Sequence, residues 1–238
     1  MATYLLLHAF PLDGAMWDEV AAILRSDGHT VIAPDLRGFG SAPLGSDEPD
    51  IDRMVDDVLP LLDGPAVIAG CSMGGYVALG IARRQPGRIA GLALVDSKAT
   101  ADSDAARVHR ERIAALAESG GDWSAGMLDG LLGATTRDAR RDLVDRVRRS
   151  MAVAPAATVA WAQRAMAERP DGRDGLGALD VPVLALLGEE DTISPRAEQE
   201  IIVAAAPRAR LVVLPRAGHL TPLEAPDAVA EALLELAR

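Results

Sequence analysis

Six short, almost continuously apolar runs punctuate the chain, at Tyr4–His8, Thr30–Ala33, Ala66–Ala69, Gly91–Val95, Val183–Leu187 and Arg210–Leu214. Runs of this length without polar alternation predict strands covered on both faces, as in a parallel sheet. Between them, apolar positions recur at helical spacing. Met16, Trp17, Val20, Ile23 and Leu24 form one stripe. Met54, Val55, Val58, Leu59 and Leu62 form a second, which Pro60 should kink or shorten because proline lacks the N–H a helix needs. A helical pattern also follows residues 70–75, and a last one opens at Pro226-Asp227 and continues through Val229, Ala232, Leu233 and Leu236. Strand and helix alternating in this way predict an α/β fold, a mainly parallel sheet of about six strands flanked by helices.

The rhythm breaks between the fourth and fifth runs. Residues 99–179 hold no strand-like run but four amphipathic patterns, around Asp104–Ser119, Asp122–Leu132, Arg137–Ala152 and Pro155–Glu168, separated by Gly120-Gly121, Gly133 and Pro155. An all-helical insertion at this point should cap the C-terminal edge of the sheet, where open α/β sheets bind ligands. The expected organisation is a core of residues 1–98 and 180–238 with a helical cap over 99–179. No internal repeat or low-complexity tract interrupts it.

Composition narrows the classes. At 238 residues and 49% hydrophobic, the chain suits one α/β domain with an insertion. Aromatics supply only 3%, so Ala, Leu, Val and Ile must build the interior. A net charge of −11 argues against nucleic acid and anionic membrane as partners. Cys71 is the single cysteine, which excludes an internal disulfide and a cysteine metal site. Tyr4-Leu5-Leu6-Leu7 is too short for a signal peptide or membrane span, so a cytoplasmic location is expected. One lysine stands against 23 arginines.

Chemistry enters at Gly70-Cys71-Ser72-Met73-Gly74-Gly75, directly after one apolar run and before a helical pattern. A Gly-x-Ser-x-Gly sequence on a strand-to-helix corner exposes the serine hydroxyl above the sheet edge. Serine is a poor nucleophile at neutral pH and needs a base. Of the four histidines, His219 lies past the last strand, on the same edge as Ser72. His29 precedes its strand and lies at the opposite edge. His109 sits among charged residues on a cap helix, and His8 precedes Ala9-Phe10-Pro11, which suggests another role. A carboxylate must hold the base's tautomer. Asp191 in Gly188-Glu189-Glu190-Asp191 is the first choice; Glu189, Glu190 and above all Asp96, at the end of the preceding strand, are the rivals. Backbone N–H groups of Met73 and Phe10 are placed to hold an oxyanion. Trp123, Met127 and Trp161 on the cap either line an acyl pocket or pack cap against sheet. Asp35, Arg37, Gly38 and Gly40 are expected to shape a loop, and Cys71 to be a small buried filler.

His8-Ala9-Phe10-Pro11, Pro34-Asp35-Leu36-Arg37-Gly38-Phe39-Gly40, Gly70–Gly75, Gly188–Asp191 and Gly218-His219, in this order, resemble the α/β-hydrolase superfamily over nearly the whole chain. Ser72–Ala78 and Val95–Ala99 look like its 3-oxoadipate enol-lactonase and carboxylesterase-like branch. The resemblance implies the α/β-hydrolase fold, a triad of Ser72, Asp191 and His219, oxyanion donors Phe10 and Met73, and neither cofactor nor metal. It departs from the family pattern at Ala9, where glycine is usual, and in opening at what is normally the third strand, so a leading hairpin is expected to be absent. The expected function is cleavage of a small carboxylic ester or lactone, by a monomer or homodimer. A lyase or C–C hydrolase, a perhydrolase of the haloperoxidase type, and a weakly catalytic ligand-binding regulator remain open on the same scaffold.

Overall fold

Each apolar run becomes a strand in the computed structural model, which describes residues 1–237. The strands are β1 (Thr3–Leu7), β2 (Thr30–Ile32), β3 (Ala66–Cys71), β4 (Ile89–Val95), β5 (Val183–Gly188) and β6 (Ala209–Leu214). All pair in parallel, in the order β2-β1-β3-β4-β5-β6, with Tyr4 beside Val67, Ile68 beside Leu92, Leu94 beside Ala185 and Leu186 beside Val212. The chain leaves β1 in one direction for β2, then crosses back to β3. Strand order therefore reverses between β1 and β3, and a crevice opens at their C-terminal ends.

Side chains alternate between two apolar layers, as strand geometry requires. Leu5, Leu7, Ile68, Leu92 and Leu94 face α2 (Ile51–Val58), α3 (Met73–Arg84) and α10 (Arg196–Ala205). Tyr4, Leu6, Val67, Ala93, Val95 and Leu184 face α1 (Asp18–Ser26) and α12 (Pro226–Leu236). Burying each large aliphatic side chain contributes about 1.5–3 kcal/mol. β3, β5 and nearly all of β4 are buried on both sides, which is why they read as unbroken apolar runs, whereas the edge strands β2 and β6 are mostly half-buried. Pro60 does interrupt the second helical stripe: α2 ends at Val58 and a single 3-10 turn, Leu59–Leu61, follows.

Between β4 and β5 the chain is helical only: α4 (Asp104–Glu118), α5 (Met127–Leu131), α6 (Ala134–Ala139), α7 (Arg141–Val153), α8 (Ala156–Ala167) and α9 (Arg173–Gly177). Two of the four expected patterns change. The second forms a helix only from Met127, because Gly126 adopts a left-handed φ of 72° and the Asp122 carboxylate caps a separate turn at Ser124. The third divides at Arg140. Its first half is tied to Glu190 through the N–H of Thr135 at 2.9 Å, while its second buries Leu143, Val144, Val147 and Met151 against the α1 layer. α9, α10 and the short α11 (Thr221–Glu224) are additions to the expected set; α10 buries only Gln199 and Ile202, too thin a stripe to register as periodicity. Among the described residues no helix is long and apolar enough to cross a membrane.

Candidate active site

Ser72 occupies the residue between β3 and α3 with φ 49° and ψ −111°, a left-handed conformation unusual for a residue with a side chain. The glycines around it are dictated by space. A Cβ on Gly70 would come within 2.2 Å of the Gly74 carbonyl oxygen, and one on Gly74 within 2.1 Å of the Leu7 carbonyl oxygen. The turn is held by Ser72 N donating to Val95 O at 2.9 Å and by Ser97 Oγ donating to Ser72 O at 2.9 Å.

Three residues distant in sequence converge on this corner. His219 follows β6, and its Nδ1–H donates to Asp191 Oδ2 at 2.9 Å. That leaves Nε2 bare, and it accepts from the Ser72 hydroxyl at 2.8 Å. Asp191 is itself fully engaged: Oδ1 accepts from the N–H groups of Ile193 and Ser194 at 2.8 and 3.1 Å, and the Ser194 hydroxyl bonds to Oδ2. Ser194 was not singled out by the sequence, although Asp-x-x-Ser at a strand end is a turn that closes on its own side chain. Burial alone would raise the Asp191 carboxyl, but the charge and hydrogen bond of His219 and the bonds from Ser194 outweigh it and hold the group below the ordinary carboxylate range. Burial opposes protonation of His219, yet the charge and hydrogen bond of Asp191, with Asp96 behind it, raise the imidazole above its usual value.

Two of the rival carboxylates, Asp96 and Glu190, are spent elsewhere, and Glu189 is exposed. Asp96 is buried and accepts from Gly188 N at 2.9 Å on one oxygen, and from Thr221 N at 3.0 Å and Thr221 Oγ at 2.6 Å on the other. It thereby ties the loop before Asp191 to the loop after His219; burial and the Asp191 charge push its carboxyl up. Glu190 bonds Thr135. Glu224, also unmarked in the sequence, accepts from Gly133, Gly218 and Leu220 N–H groups and so fixes the His219 loop to the helical segment.

His8 has the other role its neighbours suggested. Its Nδ1–H donates to Ala9 O at 3.0 Å and its Nε2 accepts from Leu36 N at 2.8 Å, while burial lowers its pKa to about 4. A neutral ring thus braces the loop that carries Phe10. His29 lies by the start of β1, accepting from Ala2 N, and His109 is exposed on α4. Neither Met73 N nor Phe10 N donates to a protein acceptor among the described residues, as an oxyanion site demands. Asp35 shapes its loop by accepting from Gly14 N and from Ser41 N and Oγ, and Arg37 clamps it through Asp57 and Asp47. Burial pushes the Cys71 thiol well up, consistent with a filler.

Ser72 and His219 open into a cavity of about 780 Å³ lined by Phe10, Trp123, Met127, Ile113 and Met166 among others. The family model of the alpha/beta hydrolase family matches residues 4–232.

This chain belongs to the alpha/beta hydrolase family.

The hydrolase is 31% identical over 233 residues to pimeloyl-(acyl-carrier protein) methyl ester esterase of Neisseria meningitidis serogroup A, covering 90% of this chain and 70% of that protein. Among solved structures, a thermophilic esterase from Thermogutta terrifontis superposes with a TM-score of 0.93 at 39% identity, covering 99% of this chain and 89% of the other. The enol-lactonase from Burkholderia xenovorans LB400 gives 0.90 at 25% identity, covering 99% and 90%. One sequence expectation needs correction in this hydrolase: Trp161 does not line the cavity. Its indole N–H donates to Asp47 O at 2.8 Å and its ring lies 5.9 Å beneath the Arg37 guanidinium, because that face of α8 packs on the 38–47 loop. Gln163 and Met166 of the same helix line the cavity instead.

Proposed function

We propose that this hydrolase cleaves a small carboxylic ester or lactone through an acyl-enzyme on Ser72. The observation that carries the reading is the continuous relay Ser72 Oγ, His219 Nε2, His219 Nδ1, Asp191 Oδ2, at 2.8 and 2.9 Å, opening on an apolar cavity. Ser72 Oγ attacks the carbonyl carbon as Nε2 takes its proton, and the Asp191 carboxylate stabilises the imidazolium. The N–H groups of Met73 and Phe10 receive the developing oxyanion. The imidazolium then protonates the leaving alcohol, which departs and leaves the acyl group on Oγ. Water enters, gives its proton to Nε2 and attacks the same carbonyl; collapse releases the acid and restores Ser72.

Residues 99–179 act in this reading as a cap on a core of 1–98 and 180–238, since α4, α5 and α8 supply most of the apolar wall. Trp123 and Met127 then contact the acyl part. The relatives named esterase and enol-lactonase support ester or lactone cleavage over the other chemistries open to the scaffold. The test is Ser72→Ala: turnover of p-nitrophenyl acetate and labelling by a fluorophosphonate should both disappear while the circular dichroism spectrum stays unchanged. A variant that keeps full turnover refutes the assignment.

A further inference from the structure

The cavity wall is largely apolar, yet it carries a half-buried cation that no carboxylate neutralises among the described residues. The chain's single lysine, Lys98, lies three residues past the end of β4 and lines the cavity that holds Ser72 and His219. Other charges along this wall are either paired or exposed. Arg110 bonds to Asp102, which also pairs with Arg169 at 2.7 Å. Asp122 is exposed and accepts from Ser124 N and Oγ; Arg112 and His109 are exposed on α4. Lys98 makes no ion pair or hydrogen bond among the described residues. Its charge is nevertheless felt at His219, whose protonation it disfavours.

The backbone that presents this ammonium is rigid with respect to the nucleophile. Asp96 is pinned by Gly188 and Thr221, Ser97 Oγ donates to Ser72 O, and Gln199 Nε2 donates to Ser97 O at 2.7 Å. A partly desolvated cation without a counter-charge is costly, and a bound anion would offset that cost. An ammonium on so constrained a mount is suited to selecting a ligand as well as attracting one.

Resting on the reading of Ser72 as the nucleophile, we propose that Lys98 determines specificity by pairing with a carboxylate on the aliphatic part of the ester, so that half-esters of dicarboxylic acids are preferred substrates. The pairing is ionic and forms no covalent bond with the substrate. Arginine at 98 keeps the charge, and methionine keeps the length without it.

The test compares monomethyl esters of dicarboxylic acids, from glutarate to suberate, each with the matching neutral terminal amide. The readout is the ratio of kcat/KM, acid over amide. In the wild type the ratio should reach about tenfold for at least one length, a size ordinary for a charge pair in a half-open site. Lys98→Met should collapse it to about one, and Lys98→Arg should retain it. A wild-type ratio at or below one throughout, or a ratio unchanged in Lys98→Met, overturns the proposal. Should Lys98→Met fail to fold, raising the salt concentration replaces it: the wild-type preference must shrink, because salt screens the pair, and a preference indifferent to salt overturns it. Fluorophosphonate labelling run alongside separates the two readings. Labelled protein without the preference overturns the role of Lys98 alone; unlabelled wild type overturns both.

Discussion

Asparagine at position 191 should remove the base while leaving the fold. Oδ1 of Asp191 is held by two backbone N–H groups, of Ile193 and Ser194, whose direction cannot reverse. The new amide must keep its carbonyl oxygen there and turn its NH2 toward His219. Nδ1 then has to accept, so the ring proton moves to Nε2, the nitrogen 2.8 Å from Ser72 Oγ. In that tautomer the ring can no longer take the serine proton. Loss of the carboxylate in this role lowers kcat about 10⁴-fold, about 5.5 kcal/mol in the barrier. The Ser194 hydroxyl can rotate to accept from the amide, so the melting temperature should change little. Asp96→Asn is the contrasting case. Both Asp96 oxygens face backbone donors, Gly188 N and Thr221 N. One of these must meet an NH2, at a cost of about 1–3 kcal/mol. Relief of repulsion between two buried carboxylates offsets part of this cost. Asp96→Asn should therefore melt a few degrees lower and keep most of its activity. Kinetics on p-nitrophenyl acetate with thermal melts of both variants decide the matter. Asp191→Asn retaining a tenth of kcat, or Asp96→Asn losing four decades at unchanged melting temperature, refutes the reasoning.

Four further outcomes follow from the site. Because His219 must be neutral to act as base and its pKa is raised above 6.5, kcat/KM should fall as pH drops through a value above 6.5, and histidine NMR should show His8 titrating only near 4. Lys98→Met should move that kinetic limb to still higher pH, since the lysine disfavours the imidazolium; a limb at or below 6.5 in the wild type contradicts the assignment. Gly74→Ala drives a Cβ to within 2.1 Å of the Leu7 carbonyl oxygen. It should cost at least about 1–3 kcal/mol in urea unfolding and abolish fluorophosphonate labelling. Trp161→Phe removes the bond to Asp47 O and should cost about 1 kcal/mol of stability. Because Trp161 lies outside the cavity, kcat/KM for p-nitrophenyl butyrate should stay within about twofold, whereas a tenfold loss would return Trp161 to the substrate wall.

Much was legible before any coordinates. The inner strands are buried on both faces, so their apolar runs announce both position and parallel pairing, and Gly-x-Ser-x-Gly at the end of one of them fixes the elbow because Gly70 and Gly74 are backed by backbone atoms. Strand ends in turn limit which histidine and which carboxylates can meet Ser72: they set His29 aside, while His8 and His109 are set aside by their neighbours, leaving His219 as the candidate base. What the linear order left open was which of Asp96 and Asp191 bonds the imidazole, since both end on the same sheet edge; a bond from Gly188 to Asp96 across 92 residues and one from His219 to Asp191 across 28 show how each is used. The same applies to Trp161 and Lys98. Helical periodicity tells that α8 has a buried side but not what covers it, and a lysine's place in the chain does not tell whether a carboxylate lies across from it. Local patterns record burial, which is a property of a residue and its near neighbours. Pairing belongs to residues far apart in the chain, and only the packed tertiary structure brings them within hydrogen-bonding distance.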